Sequence, residues 1–154
     1  MITENIRKIR ETMARAALAA GRRPEDILLC AATKMNDSAR VREAIAAGVD
    51  CCGENRVQEL VQKQAEHAYD GAPVHFIGHL QTNKVRQVVG KVALIQSVDR
   101  LELLQCIERE AEKQGIVQDI LLEVNVAAEG SKSGFTPEEA PEIAARMGEF
   151  SHCR

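Results

Sequence analysis

The chain has 154 residues, 45% of them hydrophobic and 28% charged, which is the composition of one soluble globular domain with a sizeable core. Its formal net charge of −3 argues against nucleic acid or an anionic membrane surface as partner, since either needs a basic patch. With no Trp, one Tyr and three Phe, base-stacking surfaces and aromatic cages are hard to build.

No run of 18 apolar residues predicts a transmembrane helix, and the polar N-terminus has no apolar signal core. Five cysteines, Cys30, Cys51, Cys52, Cys106 and Cys153, are odd in number and lack disulfide-framework spacing. Reduced thiols in a cytoplasmic protein are the expectation.

Residues 3–20 predict an amphipathic helix, with Ile2, Ile6, Ile9, Met13 and Ala17 at three- and four-residue intervals and Gly21 and Pro24 ending it. Residues 27–33 carry no charge and are too few for a typical helix, the pattern of a strand covered on both faces. A helix follows, capped by Asp37 or Ser38, turning Val41, Ala44 and Ile45 inward and stopping at Gly48. The unit then repeats. A strand at 49–53 leads to a helix over 54–67 carrying Val57, Leu60 and Val61. A strand at 74–78 leads to a helix over 82–89, stopped by Gly90. After a strand at 92–98, Asp99 and Glu102 form a variant capping box for a helix running to Gly115. The last unit is a strand at 120–126, a polar loop, and a helix to about residue 148 opened by Thr136, Pro137 and Glu139. A sixth strand is due to start near residue 150.

Five strand-then-helix units behind a leading helix predict a parallel sheet covered by helices. Two architectures compete, a five-stranded doubly wound sheet and an eight-stranded β/α barrel. A full barrel takes about 250 residues, so length alone favours the open sheet. In either, chemistry collects where the strands end. Those positions hold Lys34; Glu54 and Asn55; His79, Gln81 and Asn83; Ser97 and Asp99; and Asn125, Ser131, Lys132 and Ser133.

Lys34 follows seven uncharged residues. A lysine partly desolvated at a strand mouth is a competent amine nucleophile toward an aldehyde; the plain alternative is a side chain snorkelling to solvent. The loops 82–84 and 131–134 pair hydroxyl or amide groups with lysine and suit an anion, although such turns are commonly structural. His75 and His79 lie four apart on a strand, which separates their rings by roughly 13 Å. With Cys51 and Cys52 on opposite faces, no metal site is expected. Cys30 and Cys106 read as small core residues.

Several segments, in this order and spacing, carry a family resemblance. They are Ala32-Thr33-Lys34, Gly53-Glu54-Asn55-Arg56-Val57-Gln58-Glu59, the run from His75 to Lys84 that includes Gly78-His79-Leu80-Gln81, and Glu123-Val124-Asn125-Val126 with Ser131-Lys132-Ser133-Gly134-Phe135. Over essentially its whole length the chain resembles the pyridoxal phosphate homeostasis proteins, single-domain relatives of the alanine racemase barrel. The resemblance implies an α/β fold of the parallel (β/α)8 TIM-barrel type, here with the leading helix and about five β/α units, 1–154 being one incomplete cofactor-binding domain. It implies pyridoxal 5′-phosphate held as a Schiff base on Lys34. By the same match Asn55 lies near the cofactor, Gly78 and His79 belong to the third-strand loop lining its ring side, and Lys132 lies in the loop of a second functionally important lysine. The family's members run on through all eight strands, and their phosphate-holding segments have no counterpart here, which predicts a truncated chain.

The activity implied is carrying, buffering and releasing the cofactor, with apo-enzymes that need it as partners, rather than catalysis. Racemases of this fold add a tyrosine from a second domain across the cofactor; here Tyr69 precedes the third strand and no such domain is present. A racemase- or decarboxylase-like enzyme and a cofactor-free α/β regulatory domain are the rival readings.

Overall fold

The order in which the strands pair decides between the two architectures. In a computed structural model of the chain, which describes residues 1–130 and 132–154, the strands are β1 (Cys30–Ala32), β2 (Cys51–Glu54), β3 (Val74–Phe76), β4 (Leu94–Val98) and β5 (Ile120–Leu122). They hydrogen-bond in the order β1-β2-β3-β4-β5, and the pairs β1–β2, β3–β4 and β4–β5 are parallel. A doubly wound sheet reverses its order at a switch point. A barrel adds each new strand on the same side, through a right-handed crossover. The chain therefore forms five strands of a β/α barrel, and the open sheet favoured by length is excluded: length limits how many strands there are, not the order in which they pair.

The chain divides into two compact units, one of residues Met1–Glu54 with Gln58–Val74, the other of Asn55–Val57 with His75–Arg154. In the first, α1 (Ile2–Ala19) buries Ile6 and Ala17, while Ile9, expected on the same face, is exposed. The inward edge there belongs to Arg10, whose guanidinium donates to the Gly48 carbonyl and to Asp50 Oδ2, both at 2.6 Å. Asp50 Oδ2 also accepts the Leu29 N–H at 2.5 Å. The cap of α2 (Ser38–Ala46) is Asp37, which accepts the Arg40 N–H at 2.9 Å. Strand β1 is shorter than expected and is not covered on both faces: Cys30 and Ala32 are exposed, and Leu28 is 70% exposed. Among the described residues β1 pairs on one side only, with β2. Cys30 is accordingly no core residue. All four residues of β2 are buried, Glu54 among them, so this glutamate ends a strand instead of opening a helix. Helix α3 (Val57–Ala65) buries Val57 and Leu60 as expected but turns Lys63 inward and leaves Val61 exposed.

In the second unit, residues Thr82–Gln87 form a 3₁₀-helix where an α-helix was expected. Val85 and Val88 are both buried, and the three-residue turn stacks positions i and i+3 on one side. Helix α4 (Leu101–Gln114) buries Leu103, Leu104, Ile107 and Ala111 and ends at Gly115, whose φ of +66° is left-handed. Its N-cap is Arg100 and the cap makes no side-chain bond; the expected Asp99–Glu102 box does not form because Asp99 is engaged elsewhere. Strand β5 stops at Leu122 because the chain folds back on itself: Phe135 N–H donates to Glu123 O, and Asn125 N–H to Phe135 O, both at 2.8 Å. The capping box ahead of α5 (Glu139–Ala145) does form, with Thr136 N–H donating to Glu139 Oε2 at 2.9 Å and Glu139 N–H to Thr136 Oγ1 at 3.1 Å. Residues 152–154 run beside β5, with Gln118 N–H donating to His152 O and Ile120 N–H to Arg154 O, which is the expected start of a sixth strand. Among the described residues, no helix is long and apolar enough to cross a membrane.

Replacing the α2 cap, Asp37→Ala, is expected to lower stability by about 1 kcal/mol, read as a shift of the urea midpoint with unchanged slope.

Candidate functional site

The end of β1 turns sharply. Asn36 N–H donates to Thr33 O at 3.2 Å, closing a four-residue turn with Lys34 and Met35 at its centre. Met35 sits at φ +60°, a left-handed conformation costing a non-glycine residue roughly 1–2 kcal/mol. A buried polar cluster holds this turn. Lys63 Nζ donates to Thr33 O at 2.8 Å, to Glu54 Oε1 at 2.7 Å and to Glu59 Oε2 at 3.2 Å. Glu54 Oε1 also accepts from the Thr33 hydroxyl at 2.6 Å and from the Tyr69 hydroxyl at 3.0 Å. Glu59 Oε2 accepts the Met35 N–H at 2.8 Å. The Lys63 and Glu54 side chains are 6% and 0% exposed. Burial, and then the Glu54 carboxylate beside it, push the Tyr69 phenol far above its ordinary range, so it stays a donor. The neighbouring Cys52 thiol is pushed up to about 11, chiefly by burial.

Lys34 itself is exposed. This corrects the expectation of a partly desolvated lysine: among the described residues β1 pairs on one side only. Among the described residues no carboxylate pairs with its ammonium, in contrast to Lys63 and Lys132.

In the second unit, Asn55 and Gly78 are brought into direct contact. A Cβ on Gly78 would fall 2.2 Å from the Asn55 carbonyl oxygen and 2.6 Å from its Cα, so only glycine fits. Asn55 Oδ1 and, within β4, Ser97 Oγ are buried without a hydrogen-bond partner among the described residues. His79 follows directly, its ring half-exposed, with Nδ1 3.1 Å from Asp99 Oδ2. A carboxylate only accepts, so Nδ1 is the donor in this contact. Asp99 is buried and also accepts from Arg100 Nη1 at 2.5 Å, and Arg100 Nη2 donates to Leu80 O at 3.1 Å. His75 has a separate partner, Gln96 Nε2, 2.9 Å from its Nδ1, and burial holds its imidazole below the ordinary value of 6.5.

Lys132 lies beyond β5, in the wall of a cleft of about 440 Å³ that Glu123, Asn125 and Ser133 also line. Its ammonium is 2.9 Å from Glu129 Oε2, both exposed. Asn125 Nδ2 donates to Glu129 O at 2.9 Å and spans the loop. Ser131, expected to share in an anion site, lies outside the described residues.

Sequence reasoning passed over Lys63 and Glu59. The available signal was spacing: Lys63 lies three residues beyond Leu60 and four beyond Glu59, on the inward stripe of α3, where a charge demands a partner.

The strand order defines a β/α-barrel domain. The family model for the alanine racemase N-terminal domain matches residues 1–154. The pyridoxal phosphate homeostasis protein of Pseudomonas aeruginosa is 40% identical over 153 residues, covering 99% of this chain and 66% of that protein. That of Escherichia coli is 35% identical over 156 residues, covering 99% and 67%. The chain belongs to the alanine racemase N-terminal-domain family and, within it, to the pyridoxal phosphate homeostasis proteins. It spans 66% of the length of the Pseudomonas relative. Among solved structures, an unknown protein from Bifidobacterium adolescentis superposes with a TM-score of 0.88 at 37% identity, covering 99% of this chain and 66% of that one. PipY of Synechococcus elongatus, solved with pyridoxal phosphate bound, gives 0.75 at 29% identity, covering 92% and 66%.

Lys63→Met removes the donor shared by Thr33, Glu54 and Glu59 and leaves Glu54 buried without its counter-charge. A loss of about 3–5 kcal/mol is expected, measured by urea unfolding. Gly78→Ala meets backbone that has no side-chain freedom to yield, and a loss of about 1–3 kcal/mol is expected by the same measurement.

Proposed function

We propose that the protein carries and buffers pyridoxal 5′-phosphate in the cytoplasm, holding it reversibly through the amine of Lys34. The observation that carries this reading is an exposed lysine at the end of the first barrel strand, with no carboxylate on its ammonium among the described residues. The donor set suits the cofactor. A primary amine meets an aldehyde; in the first unit Glu54 Oε2, and separately in the second Asn55 Oδ1 and Ser97 Oγ, are buried without a partner among the described residues, as groups facing a ligand or a trapped water are. When bound, the cofactor would supply an aldehyde, and Lys34 would hold it through its primary amine, a link that water can reverse.

The other residues assigned toward the cofactor are Asn55, Gly78, His79 and Lys132. Gly78 packs flush on the Asn55 backbone, and Asp99 holds His79 Nδ1. Lys132, tethered to Glu129 in an exposed loop, suits a part in release better than in anchoring. Residues 1–154 are read as part of one cofactor-binding barrel domain. The relative's bound pyridoxal phosphate and the name of the curated relatives support the same reading. Apo-enzymes that need the cofactor are the proposed recipients.

A racemase- or decarboxylase-like enzyme is less favoured. Stereochemical inversion needs an acid/base group on each side of the reacting carbon, and Tyr69 is buried and committed to Glu54.

The test is to incubate the chain with pyridoxal phosphate, reduce with borohydride and map the adduct by peptide mass. A stoichiometric adduct on Lys34 that disappears in Lys34→Ala is expected. An equal yield from that variant, or label spread evenly over surface lysines, rules the assignment out. Lys132→Ala is expected to keep the adduct while changing the rate of transfer to an apo-enzyme; unchanged transfer removes the role given to that loop.

A further inference from the structure

Lys34 lies between two backbone groups held by one buried cluster. On its N-terminal side, Thr33 O accepts from Lys63 Nζ at 2.8 Å and the Thr33 hydroxyl donates to Glu54 Oε1 at 2.6 Å. On its C-terminal side, Met35 N–H donates to Glu59 Oε2 at 2.8 Å. Lys63 Nζ joins the two sides, 2.7 Å from Glu54 Oε1 and 3.2 Å from Glu59 Oε2. The carbonyl of Lys34 itself accepts from Asn36 Nδ2 at 3.0 Å. The lysine side chain is exposed, yet the backbone on both sides of its Cα is pinned.

Stability alone is a poor reason for this arrangement. A buried ion pair stabilises no better than apolar groups of equal volume. Met35 is held at φ +60°, where glycine would sit without strain, and such strain persists only where its surroundings over-determine it. What the cluster does determine is the direction in which the Lys34 side chain leaves the chain.

The geometry points to Glu54, Glu59 and Lys63 as positioning residues for Lys34: together they fix the backbone from which the amine is presented to an incoming aldehyde. The carrier reading supplies the aldehyde; the clamp stands on the hydrogen bonds above. Nζ gives up its two remaining hydrogens as the carbonyl oxygen departs as water, and the bond formed is carbon to nitrogen. None of the three clamp residues exchanges a proton in that step. Their effect is orientation, where a misplacement of about 1 Å can cost about a hundredfold in rate.

Glu59→Ala removes the acceptor of the Met35 N–H and leaves Glu54 with Lys63. Glu59→Gln keeps a carbonyl oxygen at the same reach. Met35→Gly removes the strain without touching the cluster. Two quantities are read on the full chain: the ratio of borohydride-trapped pyridoxal phosphate on Lys34 to that on Lys113, an exposed lysine of α4, and amide hydrogen exchange at Met35 and Asn36. In Glu59→Ala the ratio is expected to fall about tenfold and exchange to rise by a similar factor, with Glu59→Gln restoring both. Met35→Gly is expected to lower the ratio while the melting temperature holds or rises, which a merely structural role would not produce. Faster exchange with an unchanged ratio overturns the positioning role, and unchanged exchange in Glu59→Ala overturns the clamp. If the unmodified chain shows no preference for Lys34 but exchange responds as expected, the carrier reading fails and the clamp survives.

Discussion

One buried ammonium organises the end of the first strand. Lys63 brings its charge to a place with little access to water, where each unpaired ion would cost several kcal/mol. It meets that demand with three acceptors, the Thr33 carbonyl and the carboxylates of Glu54 and Glu59. Those acceptors come from the turn after β1, the end of β2 and the first turns of α3. Satisfying one charge therefore sets the positions of three chain segments. Tyr69 is drawn in as well, its hydroxyl donating to the Glu54 oxygen that already receives Lys63. The strained turn at Met35 lies within the same set of bonds.

Both units leave buried polar atoms without a partner among the described residues. In the first, Glu54 Oε1 has three donors while Oε2 of the same carboxylate is buried with none among the described residues. In the second, Asn55 Oδ1 and Ser97 Oγ are buried with no partner among the described residues, at about 1–3 kcal/mol for each unsatisfied group. Such atoms persist where something outside the chain meets them, a ligand or an ordered water. In the same unit, His79, Asp99, Arg100 and the Leu80 carbonyl form a hydrogen-bonded series. Bonded and open polar atoms thus stand side by side at the strand ends: Glu54 carries both on one carboxylate, and Asn55 carries its open oxygen next to the Gly78 contact.

How far the sequence could be read follows from the range of each interaction. Helices and strands were legible where the signal is local: apolar spacing, Asp37 as a cap, the Thr136–Glu139 box, and Gly48 and Gly115 as stops. Errors arose where a distant partner took over. Asp99 looked like a cap from its neighbours but bonds His79, 20 residues away. Glu54 read as a helix start, yet it ends a strand because Thr33, 21 residues earlier, binds its carboxylate. Val61 read as inward on hydropathy, but Lys63 goes in to reach Thr33, 30 residues distant. The barrel was legible through motif resemblance and not through length. Lys34 was legible from its place at a strand end, although its exposure was not, since that depends on what lies beside β1.

Exposure of the lysine and rigidity of its backbone serve a carrier in complementary ways. A cofactor that must leave intact needs water to reach the carbon–nitrogen bond, and the Lys34 side chain is exposed. Capture from dilute solution needs the amine to be presented in a constant direction, because orientation lost to a flexible loop is paid again at every encounter. A catalyst of inversion would require more, a second acid/base group at fixed distance and protection of the reacting carbon from water. The single tyrosine of the chain is spent on Glu54, and the best-placed amine stands in the open. On the proposed carrier reading, the buried ion pair acts on the lysine's backbone and not on the reacting atoms.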